Sequence, residues 1–164
     1  MQVNDFEVRI GKYVKSDPRV SITMPSFNVA PYISAAIESI LSQSFTDYEI
    51  IVVNDGSPDT EALEDSLEPY FDYVIYANQE HGGVSSARNT GLRLARAPII
   101  AQLDADDQWL PNFLSTLMEV MDRRPDLDVL YSNAVIFGGS PDDGKEKMEL
   151  SGSSGEVTFD RLIS

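Results

Sequence analysis

Cysteine is absent from this chain of 164 residues, which excludes a disulfide framework, a thiolate metal site and a cysteine nucleophile. Basic residues are scarce: 12 Lys and Arg stand against 27 Asp and Glu, a formal net charge of −15. A nucleic-acid binder needs a basic face, so no nucleic-acid partner is expected. Lysine is missing altogether between Lys15 and Lys145. No apolar run approaches the roughly 20 residues that span a bilayer, and residues 1–18 carry no signal-peptide apolar core. These absences lead us to expect a cytoplasmic protein, or a cytoplasmic piece of a larger one, with no membrane segment in this chain.

What is present is a core-forming composition, 42% hydrophobic, enough for one domain with a proper interior. Apolar runs end in acids at two places. Residues 50–53 stop at Asn54-Asp55-Gly56, and residues 99–103 stop at Asp104-Ala105-Asp106-Asp107. A short β-rich run closed by Asp or Gly reads as a buried strand reaching its carboxyl end. In an open α/β sheet, ligands bind at that edge. Three acids within four positions repel one another unless something compensates them. A divalent ion carrying a phosphorylated ligand suits them, because Mg²⁺ and Mn²⁺ prefer oxygen donors.

Strands are predicted at residues 20–24, 48–53, 73–77, 99–103 and 129–137, with a short returning strand near Met148 after the turn signal Pro141-Asp142-Asp143-Gly144. Helices are predicted between them. Asn28 is read as the cap of the first, whose Ile33, Ala36, Ile37, Ile40 and Leu41 form an amphipathic stripe. Residues 57–59 open the second, Gly82-Gly83 the third and Pro111 the fourth. The alternation implies an α/β, Rossmann-like, mainly parallel sheet flanked by helices. Residues 1–18 are read as an N-terminal extension and residues 19–164 as the domain.

The site candidates each carry two readings. Asp55 can accept the imide N–H of a uracil ring, or it can be a plain turn residue. Asp104 and Asp106 face the same way if the extended geometry persists, with Asp107 taking the other direction or approaching through the turn. They can hold a metal, a Lewis acid for a departing diphosphate, or serve as helix caps before Trp109. The Gly82-Gly83 turn puts a helix N-terminus in a favourable place for anions. Arg88, about one turn in, can bond to a ligand or to Asp55, or sit solvated on the helix. His81 is read as a loop residue rather than a ligand or base.

Four segments in this order and spacing, VSITMPSFN (20–28), EIIVVNDGS (49–57), GVSSARNTG (83–91) and LDADD (103–107), resemble the nucleotide-diphospho-sugar transferases of glycosyltransferase family 2, which have the GT-A fold. The resemblance runs from about Val20 to Leu162. It implies that Pro25, Ser26 and Phe27 line a base pocket, that Asp55 contacts uracil and that Arg88 lies near the nucleotide. It also implies that Asp104, Ala105 and Asp106 meet the donor diphosphate. Asp106, Asp107 and Asp104, a DXD-type cluster, would hold Mn²⁺ or Mg²⁺. The activity implied is inverting hexosyl transfer from a UDP-sugar to a saccharide or lipid-linked acceptor, with an Asp or Glu base activating the acceptor hydroxyl.

The family chain usually continues beyond the segment that ends here at Ser164. We therefore expect the donor-binding part of a longer domain, with the base beyond Ser164 and neither Asp142 nor Asp143 in that role. Other classes fit less well. A phosphotransfer domain would want a lysine on a later strand, a nucleotidyltransferase a basic Gly-rich loop after the first strand, and a dinucleotide-binding domain a Gly-x-Gly-x-x-Gly turn. A non-catalytic nucleotide-sugar binding or interaction module is the alternative, favoured if the donor binds without turnover.

Overall fold

The structure, a computed structural model, describes residues 6–138 and 141–146. It divides into two compact units, Met1–Val120 and Met121–Ser164. The first contains a five-stranded sheet in the order β1-β4-β3-β2-β5. The strands are β1 (Phe6–Ile10), β2 (Val20–Ser26), β3 (Tyr48–Asp55), β4 (Val74–Gln79) and β5 (Ile99–Gln102). Pairing is parallel through β4-β3-β2-β5 and antiparallel only between β1 and β4. The N-terminal extension thus supplies the edge strand β1, with Val8 opposite Ala77.

Strand alternation divides the core between two faces. Val20, Ile22, Met24, Ile50, Val52 and Val74 face one side, where they pack with Ile33, Ile37 and Ile40 of α1 (Ile33–Leu41) and with Leu63 and Leu67 of α2 (Thr60–Leu67). Leu114 and Met118 of α4 (Phe113–Arg123) join the same cluster. Ile51, Val53, Ile75 and Ala77 face the other side and meet Ala87 of α3 (Val84–Leu94). The small residues of α3 bring it close to the sheet: a Cβ on Gly91 would stand 3.1 Å from the Thr23 side chain. No helix among the described residues is long and apolar enough to cross a membrane.

At the amino ends of the strands, Glu49 is fully buried. Its carboxylate accepts from the Ser21 hydroxyl at 2.5 Å and from Arg96 Nε and Nη2 at 2.8 and 2.6 Å. This satisfied pair ties β2, β3 and the end of α3 together, far along the strands from their carboxyl edge.

Two local expectations are corrected. Asn28 does not cap α1; Tyr32 occupies the cap position, without a side-chain hydrogen bond. Asn28 instead adopts a left-handed φ of 58°, and its N–H donates to Ser57 Oγ at 2.7 Å. The strand expected at residues 129–137 does not form. Among the described residues the second unit has there one isolated bridge, Val135 to Glu146, and Val129, Tyr131, Val135 and Phe137 are exposed. β-branched and aromatic residues favour a strand only when a ladder and a buried face reward it. The predicted turn is present, with Lys145 N donating to Asp142 O at 2.9 Å. Met148 lies outside the described residues.

Candidate functional site

Parallel pairing brings the carboxyl ends of β2, β3, β4 and β5 to one edge: Ser26 lies opposite Asn54, Asp55 opposite Gln79, and Thr23 opposite Gln102. A cleft of about 300 Å³ opens at that edge. Pro25, Ser26 and Phe27 line one wall and Asp55 with His81 another. Asp104, Ala105 and Asp106 line the cleft from the loop after β5. Seven residues expected from the sequence thus converge here. Arg88 and Asp107 do not line the cleft, and Arg88 joins the site through Asp104.

Asp55 is 97% buried by its side chain, which is only 3% exposed, and it is tightly held. Its Oδ1 accepts from Gln79 Nε2 at 2.5 Å and from the Gly82 N–H at 3.0 Å. Its Oδ2 accepts from the Gly83 N–H at 2.8 Å and lies 2.9 Å from His81 Nδ1. Gln79 is itself oriented, its Oε1 accepting from the Thr90 hydroxyl at 2.5 Å. Gln79 and His81 were not expected as partners of Asp55; Gln79 is legible only once β4 is paired with β3. His81 does lie in the loop between β4 and α3, and its ring packs tilted on Phe27 with centroids 4.4 Å apart.

Arg88 does not reach Asp55. Its Nη2 donates to Asp104 Oδ1 at 3.0 Å. The acids at 104–107 do not continue the strand. Asp107 N donates to Asp104 O at 2.9 Å, and this turn ends the extended geometry that would alternate the side chains. Asp104 and Asp106 still both border the cleft. Among the described residues no group of three His, Cys, Asp or Glu is arranged to hold a metal ion. Two exposed carboxylates nevertheless match the way Mg²⁺ is commonly held, by one or two carboxylates with the remaining positions filled by water and phosphate oxygens. The oxygen donors of Asp104 and Asp106 are of the type a hard divalent ion takes.

Two clamps fix the loops that form the cleft. Behind the Pro25–Phe27 wall, the Asp59 carboxylate accepts from the Ala30 N–H at 3.0 Å and from the Ser57 hydroxyl. Burial pushes the Asp59 carboxyl up, but the hydrogen bonds from Ser57, Ala30 and other backbone N–H groups outweigh it and hold it below the usual value. Behind the acidic turn, buried Gln43 donates to Leu110 O at 2.8 Å and accepts from Leu114 N at 3.0 Å. Trp109 stacks on Phe113 beside it, with centroids 4.6 Å apart. Neither clamp has a sequence signature of its own.

A mainly parallel sheet of this order with a polar cleft at its carboxyl edge is an open α/β fold of the kind that binds ligands there. The model of glycosyl transferase family 2 matches residues 21–161, and the chain belongs to that family. An uncharacterised glycosyltransferase of Bacillus subtilis (strain 168), EpsJ, is 43% identical over 115 residues, 69% of this chain and 33% of EpsJ. The fold is that of S. aureus TarS solved in complex with UDP, with a TM-score of 0.58 at 22% identity over 65% of this chain and 33% of that one. The mannosyltransferase PcManGT from Pyrobaculum calidifontis, solved with GDP-Man and Mn²⁺, gives 0.57 at 27% identity, covering 68% of this chain and 34% of that one. The chain spans less than half the length of the curated relatives it matches.

Proposed function

We propose that the chain is the donor-binding part of a metal-dependent, inverting glycosyltransferase that uses a UDP-sugar. The observation that carries this reading is the convergence of Phe27, Asp55, Asp104 and Asp106, from three separate strand ends, on one cleft. Membership of family 2 supports sugar transfer, and the UDP and the GDP-Man with Mn²⁺ in the two structural neighbours support a nucleotide-sugar donor and a metal.

In this reading Pro25 and Phe27 give the base an apolar wall, and Asp55 accepts the uracil imide N–H. Asp104, Asp106 and Asp107 would hold Mn²⁺ or Mg²⁺ for the donor diphosphate. The ion, when bound, offsets the charge that builds on the departing diphosphate. Arg88 balances Asp104 from the helix side. The acceptor hydroxyl, deprotonated by an Asp or Glu, attacks the anomeric carbon, and the bond to UDP breaks on the opposite face. No described residue is assigned as that base.

The test is calorimetric titration of UDP into the chain with Mn²⁺ or with EDTA. Binding that requires the ion supports the reading. Equal affinity in both removes the metal from it.

A further inference from the structure

Asp55 has one acceptor position that no hydrogen bond takes, and His81 stands at it. A carboxylate offers about four in-plane lone-pair sites; Gln79 Nε2 and Gly82 N donate to Oδ1, Gly83 N donates to Oδ2, and His81 Nδ1 lies 2.9 Å from Oδ2. If Asp55 reads the base, as the proposed function has it, one of these four groups must give way. Gly82 and Gly83 donate from the backbone, and Gln79 is buried and held by Thr90. His81 is the exception. Its side chain is 56% exposed, and its Nδ1 also lies 3.0 Å from the backbone oxygen of Asp55. Both neighbours of Nδ1 are acceptors, so a proton on Nδ1 serves the backbone oxygen, its hydrogen-bond partner, and lies close to Oδ2.

We infer that His81 is a specificity-determining residue that competes with the nucleobase for Asp55 Oδ2. The imide N–H of uracil takes over that oxygen, and His81 falls back on the Asp55 carbonyl without losing its hydrogen bond. A base that presents an acceptor at the same ring position, as cytosine does, has nothing to offer Oδ2. It cannot displace His81 and would set a lone pair against the carboxylate. The His81 ring already borders Phe27, so this exchange takes place at the wall of the base pocket.

Two variants separate the N–H from the ring. His81→Phe keeps an aromatic ring beside Phe27 and removes the competing donor, and His81→Ala removes both. Affinities for UDP and CDP are measured at fixed Mg²⁺ on the whole chain without a histidine tag. UDP should bind His81→Phe roughly two- to tenfold more tightly than wild type, the scale of one exchanged hydrogen bond, with CDP unchanged. In wild type, the imidazole nitrogen resonances of the chain's single histidine should shift on saturation with UDP. Wild type that prefers UDP, together with unchanged or weaker UDP binding by both variants or an unmoved imidazole, overturns the inference and leaves base reading by Asp55 standing. Wild type with no preference between UDP and CDP overturns both.

Discussion

Arg88 and Asp104 form an ion pair that joins α3 to the acidic turn at the cleft, Nη2 to Oδ1 at 3.0 Å. The pair is half-exposed, and Arg88 Nε behind it is a buried nitrogen without a hydrogen-bond partner. The guanidinium therefore stands in for part of the positive charge that the Asp104–Asp107 cluster demands. A cation that binds at Asp104 must share that carboxylate with Arg88.

Removing Arg88 should thus strengthen binding of the bare ion. Arg88→Ala is expected to bind Mn²⁺ alone about two- to fivefold more tightly, matching the roughly 0.2–1 kcal/mol of an exposed ion pair. Titration of Mn²⁺ followed by electron paramagnetic resonance measures it. Weaker binding by the variant would mean that Arg88 organises the acids rather than competing with the ion.

The Gln43 clamp should be felt in stability. Gln43→Ala leaves Leu110 O and the buried Leu114 N–H without their side-chain partner. An unsatisfied buried group costs about 1–3 kcal/mol, and urea unfolding should show a loss of about 2 kcal/mol. A loss below about 0.5 kcal/mol would show that water or a rearranged loop replaces the clamp.

Asp59 sets a pH dependence with a defined sign. Burial opposes its ionisation, but the donors around it prevail and its folded value lies below the ordinary one. A depressed carboxyl stabilises the fold above the unfolded value, about 3.9, and the contribution fades as pH falls through the lower folded value. Below about pH 4, the urea midpoint of wild type should therefore drop more steeply than that of Asp59→Asn. Parallel acid limbs would assign the effect to other carboxylates.

Much of this was legible in the chain because Ile50, Ile51, Val52 and Val53 make β3 apolar on both faces up to Asn54 and Asp55, and β2 presents Val20, Ile22 and Met24 on one face before Ser26. The acids at 104–107 and the glycines at 82–83 marked the edge in the same way. The partners of Asp55 were not legible, because Gln79 meets it only through the register of β4 on β3 and His81 only through the loop that follows. Residues 129–137 misled for the opposite reason. Their composition suits a strand, yet Val129 and Phe137 are 74% and 56% exposed, and no ladder among the described residues stabilises them. Asn28 looked like a cap because Asn tolerates both roles, and the Ser57 contact decided for the left-handed one.

The most direct test of the central claim is a crystal of the chain with UDP and Mn²⁺, measured at a wavelength where manganese scatters anomalously. The account predicts an anomalous peak at the Asp106 carboxylate, with diphosphate oxygens completing its shell and the uracil against Phe27 and Asp55. A peak and a nucleotide placed anywhere other than the edge formed by Pro25, Asp55 and Asp106 would contradict it.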